Sequence, residues 1–267
     1  MPLHGQYLRQ LDKRIDMDAT FSWLDRGHLS IETEGFVCAA QEQAILTRAI
    51  AKRIHGAQIN EQCRVCGNAL ETVMHIATEC SVLAPTEYMQ RHNAVAQYLH
   101  FRLLQIHGSD MRSKQWYEHQ PEKVTATATG KILWDFNIYT DRLIPARRPD
   151  IVVLNMKMKQ GLILDVNCPH DANVLRNEVE KRSKYTDLKI ELERIWGIHF
   201  TILPVVIGAL GAVSKNIRPT IESLGLHSWE IGIMQDIVLK ATCHILRKYV
   251  TQSGLPLIND SHSSALL

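Results

Sequence analysis

The stretch RRPDIVVLNMKMKQGLILDV, residues 147–166, decides the fold. Two apolar, β-branched runs, Ile151 to Leu154 and Leu162 to Val166, flank a turn around Lys159, Gln160 and Gly161. Such runs joined by turn residues read as adjacent antiparallel strands. Asp150 begins the first and Asp165 ends the second. A hairpin sets the start of one strand beside the end of the next, which brings the two carboxylates together. Like charges that close repel, and a divalent cation removes the cost. Magnesium accepts one or two carboxylates plus waters and phosphate oxygens, and so bound it can activate a water beside a phosphate. Taken singly, an Asp at a strand end is more often a turn residue.

Working outward, Ile132 to Ile138 precedes this hairpin and Phe200 to Ile207 follows it as further β-rich runs. A long helical pattern over 171–195 separates the third run from the fourth, so the order is β-β-β-α-β and the class is α/β (α+β), a mixed sheet flanked by helices. Within the helical segment Val174, Glu178, Lys181, Tyr185, Leu188, Leu192 and Ile195 recur at alternating steps of four and three, one core-facing stripe. Ionisable groups on a buried stripe need partners. Glu178, Lys181 and the neighbouring Lys184 therefore join Asp150 and Asp165 as candidate catalytic residues, with a lysine placed to position the attacking water or steady a transition-state phosphate. The alternative is a lysine that snorkels to solvent. Asp171 and Asn173 read as helix caps.

Further helices are expected over Val37 to His55, stopped by Gly56, over Glu87 to His107, capped by Thr86 and ended by Gly108, and over Ile231 to Tyr249. Gly5 to Gly35 reads as short helices and loop, and the last fifteen residues as frayed. The resulting division is a helical linker region at 1–58, a knuckle at 59–84, a connecting helix at 85–110, a sheet-bearing domain at 111–252 and a flexible tail at 253–267.

Before the sheet stands Cys63-x2-Cys66-x8-His75-x4-Cys80. Zinc takes about four thiolate or imidazole ligands in a tetrahedron, and this spacing supplies them within eighteen residues. Gly67 follows Cys66 where the tight turn needs a permissive backbone. Four protein ligands leave no open position, so one structural Zn2+ is expected. The alternative is three reduced cysteines and an unrelated histidine in a loop. Six cysteines in all, only three of them clustered, suit a reducing compartment better than a disulfide framework.

Composition bounds the rest. A hydrophobic fraction of 45% over 267 residues builds a core, and a net charge of +2 argues against a partner held by bulk charge. Nucleic-acid contact must then be local, with Arg147 and Arg148 beside the first acid as the best candidates. Arg176, Lys181, Arg182 and Lys184 on the helix face five acids between Glu178 and Glu193, which nearly balance them. The longest apolar run, Phe200 to Val213, is interrupted by Pro204 and is shorter than the roughly 20 residues of a membrane span. With no secretory signal, a nuclear or cytoplasmic chain without membrane contact is expected.

Several segments carry a family resemblance: Gln43 to Thr47 leading to Cys63, Glu71-Thr72-Val73-Met74-His75-Ile76, Leu133-Trp134-Asp135, Thr140-Asp141, Arg147 to Val152, Asp165-Val166, and Glu180-Lys181 with Lys184-Tyr185. Together they resemble the C-terminal region of site-specific non-LTR retrotransposon (LINE) polyproteins, over roughly Leu3 to Tyr249. Those proteins place a CCHC knuckle and a restriction-like endonuclease of the PD-(D/E)xK superfamily after a reverse transcriptase. The resemblance implies a restriction-endonuclease-like fold, Asp150 and Asp165 as acids holding catalytic Mg2+ or Mn2+, Lys181 as the catalytic lysine and Lys184 as a second one. It also implies DNA as partner, with RNA a second candidate, and nicking that frees a 3′ end to prime reverse transcription. In the broader superfamily the lysine lies two residues after the second acid, where this chain has Asn167. No adjacent Asp-Asp pair marks a polymerase palm, so the chain reads as a truncated or separately expressed tail without the reverse transcriptase. The competing expectation is a catalytically inactive nucleic-acid-binding fragment, and a third is an interaction module.

Overall fold

A computed structural model describes residues 5–26, 28–109 and 115–251. Its helices are α1 (Gln6–Gln10), α2 (Met17–Thr20), α3 (Ser22–Arg26), α4 (Ile31–Gln41), α5 (Arg48–His55), α6 (Met89–Ile106), α7 (Val174–Lys184), α8 (Thr186–Trp196), α9 (Ile217–Ser223) and α10 (Glu230–Leu246). Its strands are β1 (Val124–Ala126), β2 (Gly130–Trp134), β3 (Ile151–Asn155), β4 (Gln160–Asn167) and β5 (His199–Val206). They form one mixed sheet in the order β1-β2-β3-β4-β5, with the first three pairings antiparallel and β4–β5 parallel. The parallel step requires a crossover, and α7 and α8 supply it, both packing along β5. The tail at 253–267 lies outside the described residues.

The uninterrupted apolar runs have a simple cause: the sheet is covered on both faces. Ile132, Ile151, Val153, Leu164, Val166, Leu203 and Val205 point to one side, against Val95, Leu99 and Leu103 of α6 and Met234 and Val238 of α10. Their alternates Leu133, Val152, Ile163 and Phe200 point to the other, against Tyr185, Leu188 and Leu192. Each such side chain, fully buried, contributes about 1.5–3 kcal/mol. A third cluster joins Cys63, Ile76 and Cys80 to Val206 of β5 and Ile245 and Leu246 of α10. The Cys/His segment is thus packed onto the same body as the sheet.

Several elements depart from the sequence pattern. The stretch from Val37 to His55 is two helices, because Gln43 adopts φ +57 and Thr47 caps α5 by accepting the Ile50 N–H. The strand expected from Ile132 to Ile138 stops at Trp134, where Asp135 turns the chain at φ +43. The helical pattern over 171–195 breaks at Tyr185, whose φ and ψ of −102° and 7° end α7 before α8 starts. Thr86 caps nothing; it lies in a π-helical turn, Ala84–Tyr88, that leads into α6. Asp171 is a buried bracket and not a cap, accepting the N–H groups of Leu210 and Ala212 and the Tyr7 hydroxyl. Among the described residues, no helix is long and apolar enough to cross a membrane.

Candidate functional site

The cysteine turn is built by its backbone. Gln62 and Leu70 bridge, Cys63 N–H donates to Ala69 O at 2.7 Å, and Gly67 N–H donates to Cys63 O at 2.8 Å. Gly67 takes φ +69, a conformation that glycine adopts without strain. Thr72 Oγ1 accepts the His75 N–H, and a π-helical turn over His75–Glu79 carries Cys80 back toward the turn. The donor atoms of Cys63, Cys66, His75 and Cys80 all lie within 4.8 Å of one another, with His75 Nε2 3.3 Å from Cys66 Sγ. A tetrahedral zinc with bonds of about 2.0–2.3 Å spaces its donors roughly 3.5 Å apart, so the set could hold one zinc ion. Glu71 anchors the turn from beneath. It is fully buried, accepts the N–H groups of Arg48 and Arg64, and pairs with the Arg64 guanidinium at 2.5 Å. Burial alone would raise its pKa, but the bonds from Arg64 and Arg48 together outweigh burial and hold it below the usual carboxylate range.

The acidic pair lies across the sheet. Ile151 pairs with Leu164, so one further step in that register sets Asp150 opposite Asp165. Both line an open pocket of about 490 Å³ together with Lys181, Lys184, Tyr185 and Arg148. Asp150 Oδ2 accepts the Val166 N–H at 2.6 Å and faces His92 Nε2 at 3.0 Å. Asp165 is buried; its Oδ1 accepts the Tyr185 hydroxyl at 2.5 Å and stands 3.7 Å from Lys184 Nζ. Lys181 Nζ forms a close ion pair with Oδ2, a buried carboxylate oxygen that accepts no hydrogen bond among the described residues. Such an oxygen is suited to a cation.

The other expected residues fall in different places. Glu178 is buried away from this pocket, where it accepts bonds from Ser214 Oγ and Asn216 Nδ2 and pins α7 to the loop before α9. It sits on the sequence stripe but not among the residues lining the acidic pocket, because Ser214 and Asn216 on the loop before α9 capture its carboxylate. Arg148 reaches the pocket and pairs with Asp135 at 2.5 Å. Arg147 does not line it; its carbonyl accepts the Ile138 N–H.

Two pocket residues escaped the sequence reading. His92, on α6, has no motif around it, and only the fold brings it to Asp150. Burial would lower its pKa, but the bond to Asp150 and its charge prevail and raise it. Asp135 is held at positive φ by its N–H bond to Asp150 O at 2.7 Å, and its carboxylate receives Lys123 at 2.8 Å. Burial pushes its pKa up, while the Arg148 and Lys123 bonds pull it further down, so it stays below the ordinary value. The only signal was its place in Leu133-Trp134-Asp135. A second pocket of the same volume, lined by Asp18, Asp25 and Arg218, gathers no such set, since Arg218 is bound to Asp16.

No family model matches this chain, and comparison with curated proteins finds no match either. The functional reading therefore rests on the chemistry of the two sites.

Proposed function

We propose that the chain is a metal-dependent phosphodiesterase, a restriction-like DNA endonuclease module of the non-LTR retrotransposon type, with a structural zinc knuckle packed against it. The observation that carries this reading is the convergence of Asp150, Asp165 and Lys181 in one open pocket, with the buried Asp165 carboxylate ion-paired to Lys181. Asp150 and Asp165 would hold Mg2+ or Mn2+. Bound there, such an ion supplies Lewis-acid polarisation of a phosphoryl oxygen and a more acidic water.

The chain's own residues do the rest. Tyr185 fixes the Asp165 carboxylate through Oδ1, and His92 with the Val166 N–H fixes Asp150 through Oδ2. Lys181, half-buried beside Asp165, is placed to stabilise negative charge growing on the phosphate, with Lys184 as a more exposed second cation. Arg148 at the rim offers a phosphate contact by exchanging its Asp135 partner. Hydrolysis forms a bond from phosphorus to the water oxygen and breaks the bond to O3′, leaving a 3′-hydroxyl that a reverse transcriptase can extend. The setting is nuclear or cytoplasmic, with DNA as substrate and RNA as a further partner.

A second reading is a nucleic-acid binder without turnover. It draws on the Lys181–Asp165 ion pair, which already neutralises the deeper acid. Nicking of supercoiled plasmid in magnesium or manganese separates the two. The wild type should nick, and Asp150→Ala and Asp165→Ala should each lose at least about 100-fold. Absence of nicking by folded, zinc-loaded wild type, or nicking that survives both substitutions, refutes the nuclease.

A further inference from the structure

Near its start α6 carries a buried arginine that no carboxylate meets. Arg91 is 2% exposed. Its Nη1 donates to Ala77 O and Thr242 Oγ1, both at 2.9 Å, and its Nη2 to Cys168 O at 3.2 Å. Its Nε is buried with no hydrogen-bond partner, and the guanidinium carbon lies 5.2 Å from the Tyr88 ring centre. Among the described residues, every bond it makes goes to a neutral group. A cation at that depth, with neutral hydrogen-bond partners and Asp171 acting on it through charge alone, is costly, and an anion brought to it relieves the cost.

The pocket that Arg91 lines, about 390 Å³ in volume, is suited to an anion. His170 accepts the Ala172 N–H on Nδ1 at 3.1 Å, so the proton sits on Nε2 as a donor. The eleven-residue α7 starts here, directly after the 3-10 turn Asp171–Asn173; its first N–H, that of Val174, bonds Asp171 O, and the positive end of its dipole lies at this pocket through Asn173 and Arg176. Arg176 adds an exposed guanidinium held, among the described residues, only by Glu180 one turn on. Among the lining residues Glu79 is the one acid, and it is exposed. His92 lines this pocket and the Asp150–Asp165 pocket alike, so the two adjoin.

We propose that this is a phosphate subsite, which takes a backbone phosphate of the same nucleic-acid strand that reaches Asp150 and Asp165. The strand assignment rests on the phosphodiesterase reading; the anion site does not. It makes the polar channel between the zinc turn and the acids a track for a single strand.

The test uses the full zinc-loaded chain without added magnesium or manganese, so that binding is read apart from cleavage. Inorganic phosphate is titrated while the melting temperature is followed, and a short labelled single-stranded DNA is titrated by fluorescence anisotropy at several salt concentrations. The variants are Arg91→Gln and the surface pair His170→Ala with Arg176→Glu. Should Arg91→Gln fail to fold, the surface pair carries the test. Phosphate should raise the wild-type melting temperature and not that of the variants. DNA affinity should fall about tenfold, the loss of one charge-assisted contact, and the slope of log affinity against log salt should shrink by about 0.7. Unchanged DNA affinity and slope in a variant that has lost the phosphate effect overturns the strand assignment and leaves a free-anion site. An unchanged phosphate effect in folded variants overturns the site itself. DNA binding that depends on these residues in a protein that never nicks plasmid supports the subsite and removes the nuclease reading alone.

Discussion

Tyr185→Phe removes one hydroxyl at the candidate active site. The Tyr185 ring is fully buried against Leu188 and Leu192, and Phe keeps that packing. What disappears is an O–H that donates to Asp165 Oδ1 at 2.5 Å and accepts from Lys184 Nζ at 2.9 Å. A hydrogen bond to a charged group contributes about 1.5–3 kcal/mol. Lys184 is 45% exposed in its side chain and regains water, so its loss is small. Asp165 has no such recourse, since it is buried and its Oδ2 is already taken by the Lys181 ion pair. The expected cost is therefore about 2 kcal/mol, read as a lower urea midpoint at unchanged m-value. In an Asp165→Asn background the charge assistance is gone, and the same substitution should cost about 1 kcal/mol or less, a coupling of about 1 kcal/mol. Equal costs in both backgrounds, or a cost under about 0.5 kcal/mol in the wild type, would refute the claim that this hydroxyl holds the carboxylate.

Other outcomes follow from the same geometry. His100 is fully buried, 2.8 Å from His119, and burial first, then that neighbour, pushes its pKa down to about 4. An unfolded histidine titrates near 6.5, so the unfolded state binds the proton first. The stability this group contributes is present above about pH 6.5 and is lost as pH falls toward 4, by roughly 2–3 kcal/mol; a denaturation series that is flat over that window in wild type would contradict it. Native protein should contain about one zinc per chain by elemental analysis, and stripping it should lower the melting temperature, because Cys63 and Cys80 share a hydrophobic cluster with β5 and α10; a metal-free native protein would sink the assignment. A Cβ at Gly130 would stand 1.9 Å from Leu154 O, whereas one at Gly232 in α10 meets nothing within 4 Å. Gly130→Ala should therefore cost about 2 kcal/mol or more by strand displacement, and Gly232→Ala should stabilise by about 0.5–1 kcal/mol, both readable by thermal melts.

Much of the sheet was legible because both its faces are covered. Apolar runs such as Ile151–Leu154 carry enough signal by themselves, and their alternation between the two clusters needs no further information. The hairpin register follows from a short turn, and with it the approach of Asp150 to Asp165. The Cys/His spacing was equally plain, since a metal site is a local pattern. What could not be read are contacts made by the fold alone. The stripe from Val174 to Ile195 has unbroken helical spacing, yet the buried Tyr185 hydroxyl bound to Asp165 sits at a break that periodicity cannot register. Glu178 and Lys181 lie three residues apart, and only the loop bearing Ser214 and Asn216 sends the first into a structural role. His92 and Arg91 have no motif around them; their importance comes from what surrounds them after folding.

Those two residues also connect the Cys/His turn to the acidic pair. The start of α6 and the turn before it make three contacts in succession. The Tyr88 hydroxyl accepts the Cys80 N–H at 3.1 Å and donates to Ile76 O at 2.8 Å, which ties the helix to the last cysteine of the Cys/His set. Arg91 then binds Ala77 O, inside the π-helical turn between His75 and Cys80, and Cys168 O, just past the end of β4. His92 reaches Asp150. A shift of the His75–Cys80 turn on metal loss would move Tyr88 and Arg91 first, and His92 with them, since helical backbone transmits displacement along its axis with little slack. Zinc removal should accordingly weaken phosphate binding at Arg91 before the sheet itself unfolds. If phosphate protection persists unchanged in the zinc-free chain, this coupling through α6 is wrong, and the knuckle acts only as a packing element.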